Sequence, residues 1–182
     1  LFAPGMKEGP FPEHYEPYES PTDNAMSSRQ VNPCALFYPE SSKLGTADEY
    51  PLAVTTFRLV EHWQAGAMTR NLPWSAQAQP HMFVEISEEL AAERGIENGD
   101  WVEVFNNRGN EGMYAMVTKR LKPMEINGKT THIIAMPWHW GWSSPIIKGA
   151  TANSLTPHVG DANTSIPEYK AFLADIRKAV KK

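Results

Sequence analysis

The chain has 182 residues, 17 Lys and Arg against 21 Asp and Glu, and a formal charge of −4, which argues against a general nucleic-acid binder that would meet phosphates with a basic surface. One Cys excludes an internal disulfide framework, a Cys-based zinc cluster and iron–sulfur ligation from within this chain. With 41% apolar residues, no run long enough to span a membrane and a length suited to one domain, the composition supports a single core. The chain starts at Leu1 and opens on a proline-rich stretch without a cationic and apolar signal segment, as a piece of a longer polypeptide would.

Eight of the 15 prolines fall within residues 1–51, interleaved with Phe11, Tyr15, Tyr18, Phe37 and Tyr38. Proline fixes φ and has no N–H, so 1–50 is read as an extended arm with few ladder bonds, either disordered or laid across another surface. The β-branched content of Pro51–Arg58 predicts a strand entering a core, and the barrel domain is placed at 51–182. Ser87–Gly95 predicts a short helix: Ser87 caps it, Glu88 and Glu89 suit its positive end, and Gly95 supplies a left-handed exit.

Asp100–Asn106 and Gly112–Thr118 alternate apolar and polar residues about a glycine-containing turn, which predicts a hairpin. Asn127-Gly128 separates Leu121–Ile126 from a further short strand at His132–Met136. Short strands at close spacing with one small helix point to a β-rich barrel. In Tyr169–Val180 periodicity favours a helix, although Phe172, Ala174 and Ile176 also fit a strand.

Three stretches carry candidate chemistry. Thr55–Asn71 offers Arg58, His62, Thr69, Arg70 and Asn71 after a strand, either a donor set for an anionic cofactor or a solvated loop with one structural His. PWHWGW at Pro137–Trp142 contains three Trp, which either stack on a flat ligand, are covered by another domain, or belong to the core. Residues 149–170, GATANSLTPHVGDANTSIPEYK, carry many small donors and acceptors, suited to the edge of a purine or pterin and equally to Asx-turns. The six His form no close ligand pair, no metal site is assigned, and Cys34 is read as a buried or free thiol. No nucleophile elbow, phosphate loop or dinucleotide glycine fingerprint is present.

The stretches TTFRLVEHWQAGAMTRN, QPHMFVEISEELAAERGIENGDWVEVFNNRG, MPWHWGW and GATANSLTPHVGDANTSIPEYKAFL resemble, in order and spacing, the C-terminal part of the catalytic alpha subunit of formate dehydrogenase, a molybdopterin oxidoreductase. The likeness is greatest to respiratory, periplasm-facing enzymes, and GPFPEHYEPYESP resembles the segment before their last domain. The resemblance implies a mainly β fold with short helices, a double-psi β-barrel. It implies a bis-molybdopterin guanine dinucleotide cofactor with molybdenum or tungsten, an iron–sulfur cluster elsewhere in the enzyme, and oxidation of formate to carbon dioxide. The implied partners are the remainder of the alpha subunit and an iron–sulfur electron-transfer subunit, with no nucleic acid and no direct membrane span; the implied location is periplasmic.

Carried over by position, Thr56, Arg58 and His62 match the family's T-x-R-x-x-x-H, and Thr69 and Asn71 match the polar residues that follow. Trp138 and His139 stand in the loop near a pterin, Asn153 and Ser154 in the N-[ST]-L turn, and Tyr169 and Lys170 in P-E-Y-K. The resemblance makes Ala171–Ile176 a strand against its helical spacing. The metal ligand, catalytic residues and cluster cysteines of the family have no match here, so no catalytic residue is assigned and the isolated chain is expected to be inactive. Two alternatives stay open: the same domain of an oxyanion or sulfur-compound reductase, and a cofactor-free interaction module.

Overall fold

A computed structural model describes residues 5–9, 11, 13–40 and 42–181; the parts of the predicted arm at 1–4, 10, 12 and 41 lie outside the described residues. Ten strands and two short helices are present among them: β1 (Leu36–Phe37), β2 (Leu52–Phe57), α1 (Pro73–Ala78), β3 (Phe83–Ser87), α2 (Glu88–Arg94), β4 (Trp101–Phe105), β5 (Asn110–Thr118), β6 (Met124–Ile126), β7 (Lys129–Thr131), β8 (Ile133–Pro137), β9 (Val159–Gly160) and β10 (Phe172–Lys178).

Six strands close into a barrel in the order β10-β2-β8-β3-β5-β4. Two of its pairings are parallel, β2 with β8 and β3 with β5, and the remainder antiparallel. This is the double-psi arrangement the resemblance implied. Its interior is filled by alternate residues of each strand, among them Val54, Val84, Ile86, Val102, Val104, Met113, Ile134, Met136 and Ile176. Closure gives each of the six strands a neighbour on both sides, β3 and β8 meeting at the single pair Glu85 and Ala135.

The hairpin β4–β5 forms where alternation predicts it, and the strand β2 where β-branched content does. Helix α2 starts at Ser87, whose hydroxyl accepts from Leu90 N at 3.1 Å, and stops at Gly95, which takes φ 62°. Asn127 and Gly128 both adopt positive φ in the β6–β7 turn. Helix α1, with Pro73 in its first turn, was not signalled by periodicity.

The helical reading of Tyr169–Val180 is corrected: β10 is a strand, pairing with β2 through its first half and with β4 through its second. Phe172, Ala174 and Ile176 face the barrel core with the period of two of a strand. Leu173, between them, is also buried, its N–H donating to Glu19 of the arm, and this added buried residue imitates helical spacing.

Among the described residues of 5–50 the only strand is β1, which pairs with β9. Tyr18 stacks on Phe37 with ring centres 5.0 Å apart, and Tyr50 meets Phe105 of β4 edge-on at 6.4 Å, so the aromatics anchor this segment to itself and to the barrel. Cys34 is a free thiol of intermediate burial. Among the described residues no helix is long and apolar enough to cross a membrane.

Replacing Ser87 with Ala removes the cap of α2 and should cost about 1 kcal/mol, read as a lower denaturation midpoint in urea; an unchanged midpoint would show that the cap carries no load.

Candidate cofactor-binding site

The site is generated by strand register at one mouth of the barrel. β2 and β8 run parallel with Phe57 opposite Pro137, so Arg58 and Trp138 leave the wall side by side. The Arg58 guanidinium lies 3.9 Å from the centre of the Trp138 ring, a cation–π contact worth about 0.5–2 kcal/mol. β10 is antiparallel to β2 with Phe172 opposite Val54, and the same register carried back brings Lys170 and Tyr169 to the end of β2. Thr56 Oγ1 donates to Tyr169 O at 2.9 Å, and Lys170 Nζ donates to Thr56 O. The Tyr169 and Trp138 rings are near-parallel at 5.9 Å.

The electrostatics of this cluster are one-sided. Among the described residues neither Arg58 nor Lys170 forms an ion pair with a carboxylate. Partial burial, followed by the nearby Arg58 charge, pushes the Lys170 ammonium below its usual range. Trp138 Nε1 is buried without an acceptor. Two cations sharing a mouth with an orphaned donor suit an anion that can also accept a hydrogen bond.

Two loops flank the cluster, residues 58–72 and 138–147. His62 donates from Nε2 to Gln79 O at 2.8 Å and pairs through Nδ1 with Thr69 Oγ1 at 3.1 Å. His139 accepts from Leu59 N at 2.7 Å through Nε2 and donates from Nδ1 to Gln64 O, which selects one tautomer. Arg70 is buried and donates to Gly66 O, Gly141 O and Ser143 O, so it joins the two loops through carbonyls. Ser144 Oγ donates to Asn71 Oδ1 at 3.2 Å. Gly66, at φ 76°, has the His139 carbonyl oxygen only 2.0 Å from where a Cβ would stand, so the loops meet where only glycine fits.

The three tryptophans of PWHWGW have three different fates. Trp140 packs in the core, Trp138 sits half-buried at the mouth, and Trp142 is 73% exposed.

A groove of about 400 Å³ continues from Tyr169 past Ser154, Asn153, Thr156, His158 and Arg108. The Asn153 side chain is exposed there, on a single 3-10 turn, Ala152–Ser154. Ser154 Oγ donates to Thr151 O at 2.7 Å and to the Glu111 carboxylate.

The predicted site residues therefore fall into three groups. Thr56, Arg58, Trp138, Tyr169 and Lys170 form one cluster, and Asn153 and Ser154 line a groove that shares Tyr169. His62, Thr69, Asn71 and His139 spend their polar atoms on the loops' own bonds. Sequence reasoning missed Arg108 and Asn106, which both donate to Leu155 O behind the Asn153 turn, having read their stretch only as the end of a strand and a turn. Among the described residues no group of three or more His, Cys, Asp or Glu could hold a metal ion.

The sequence profile of the "Molydopterin dinucleotide binding domain" matches residues 52–173. The chain is 48% identical over 180 residues to "Formate dehydrogenase subunit alpha" of Megalodesulfovibrio gigas, covering 98% of this chain and 18% of that relative. It is 48% identical over 177 residues to "Formate dehydrogenase, nitrate-inducible, major subunit" of Escherichia coli K12, covering 96% and 17%. A "Periplasmic nitrate reductase" of Desulfovibrio desulfuricans is 34% identical over 131 residues, covering 72% and 15%. The chain thus spans less than a fifth of the length of these curated relatives. Among solved structures, "Acetylene Hydratase from Pelobacter acetylenicus" superposes with a TM-score of 0.57 at 17% identity, covering 73% of this chain and 19% of that one, a likeness of fold.

Burial is the main cause that lowers the His139 pKa, outweighing its bond to Gln64 O, which raises it, and the nearby Arg58 charge adds to the lowering. The folded state thus holds this ring neutral where the unfolded chain would protonate it, so its contribution is complete above the ordinary imidazole value of about 6.5 and is lost as pH falls below it. Wild-type melting temperature should drop more steeply than that of H139Q between about pH 6.5 and pH 5; parallel curves would contradict the buried neutral ring.

Proposed function

The chain belongs to the molydopterin dinucleotide binding domain family, and from that premise we propose that it forms one wall of the cofactor cradle in the alpha subunit of a formate dehydrogenase. The observation that carries this reading is the unopposed pair Arg58 and Lys170 beside Trp138 and Tyr169. A dinucleotide offers phosphates to such cations and flat rings to such aromatics.

The donor set fits bis-molybdopterin guanine dinucleotide. Arg58 and Lys170 would hold phosphate oxygens, Trp138 Nε1 would find its missing acceptor, and Tyr169, Asn153 and Ser154 would hold the nucleotide in their groove. Thr56 fixes the Tyr169–Lys170 backbone against β2, while His62, Thr69, Asn71 and His139 keep the flanking loops in shape. When bound, the molybdenum or tungsten centre supplies the two-electron acceptor for oxidation of formate to carbon dioxide. The chain's own part is to bind, orient and exclude water. No side chain described here is placed in the chemical step.

The division proposed is a Pro- and aromatic-rich arm at 1–50 and the cofactor barrel at 51–182. The remainder of the alpha subunit would cover Trp63, Trp74 and Trp142, all more than half exposed. An iron–sulfur subunit, a periplasmic location and a role in anaerobic respiration follow from the formate dehydrogenase reading. Greater identity over more of the chain supports formate dehydrogenase over nitrate reductase as the model for the substrate.

In the intact enzyme R58A should lower metal and pterin content about tenfold or more, the equivalent of a charge-assisted hydrogen bond of roughly 1.5–3 kcal/mol. Wild-type cofactor content in R58A would refute the proposed contact.

A further inference from the structure

Glu19 lies in the arm, outside the matched residues 52–173, yet its carboxylate is fully buried against Arg108, whose side chain is 7% exposed. The two make a bidentate pair, with Arg108 Nη1 on Glu19 Oε1 at 2.5 Å and Nη2 on Oε2 at 2.8 Å. The carboxylate also accepts from Gly45 N at 2.7 Å and Leu173 N at 2.9 Å. Arg108 in turn gives Nε and Nη2 to Leu155 O, at 3.0 and 2.7 Å, and Asn106 Nδ2 reaches the same oxygen at 2.8 Å.

The geometry of this hub bears on the groove above it. Leu155 is two residues from Asn153, and Leu173 is four from Tyr169, so one carboxylate anchors both walls of the groove. Arg108 lines that groove with its donors already committed, so it shapes the wall rather than offering a free cation. A buried guanidinium that loses its carboxylate is left uncompensated, and the backbone it holds must shift to rehydrate it. No other described carboxylate ion-pairs with Arg108.

We propose that Glu19 is a positioning residue for the nucleotide end of the cofactor site: the arm sets the spacing between the Asn153 turn and Tyr169. This deepens the function proposed above and rests on it for the identity of the ligand. The arm is then a working part of the domain whose profile begins after it.

The test uses the intact protein carrying E19Q, which keeps the shape of Glu19 and removes its charge. Hydrogen–deuterium exchange should speed up about tenfold or more at amides 153–156 and 169–173, with β3, β5 and β8 unchanged. Guanine nucleotide released per molecule on acid hydrolysis should fall in the same variant. Unchanged exchange at the two groove walls, or equal acceleration across every barrel strand, would overturn the proposal, the second by making Glu19 a general stabiliser. Should E19Q fail to accumulate, E19D, which keeps the charge and withdraws it by one methylene, carries the same two readouts. Exchange judges the positioning role by itself, whereas a wild-type protein without guanine nucleotide counts against the cofactor reading.

Discussion

The parallel register of β2 with β8 is the constraint from which the site follows. Setting Phe57 opposite Pro137 obliges Arg58 and Trp138 to emerge together, and pairing β10 against β2 brings Tyr169 and Lys170 to the same mouth. A one-residue slip in either pairing would turn the strand's buried set outward, so the hydrophobic core enforces the geometry of the polar cluster. Sequence positions more than a hundred residues apart thereby make one surface.

That surface is cationic in a protein whose net charge is −4. Elsewhere several cations are matched to carboxylates, as in Arg177 with Glu103 and Lys178 with Asp100, whereas Arg58 and Lys170 rest on an aromatic ring and a carbonyl. The flanking loops cannot relax to neutralise them. Arg70 and His139 bind the loops through backbone carbonyls and an amide, and glycine at 66 allows the loops to touch. The cost of organising the proposed anion site would thus be met in folding, before any ligand arrives.

Much of this was legible from local chemistry. Ser87, Gly95 and the alternation of 101–105 mark their elements because each signal acts within a few residues. The resemblance singled out Arg58, Trp138, Asn153 and Tyr169 as candidates, and it made β10 a strand where buried Leu173 beside Phe172 and Ile176 imitates helical spacing. What stayed hidden depends on contacts distant in sequence. Nothing in the run at 19 announces a partner at 108, and the turn at Asn106–Gly109 looks like any hairpin end until Leu155 O is seen beneath it. Nor could spacing distinguish the tryptophan that packs in the core, Trp140, from the one at the mouth, Trp138.

The most direct measurement is an experimental structure of the intact protein with its cofactor bound. The account predicts phosphate oxygens within hydrogen-bond distance of Arg58 and Lys170, with the guanine nucleotide in the groove between Asn153 and Tyr169. Arg58 and Lys170 paired instead with carboxylates from the remaining polypeptide, and the dinucleotide seated elsewhere, would contradict it.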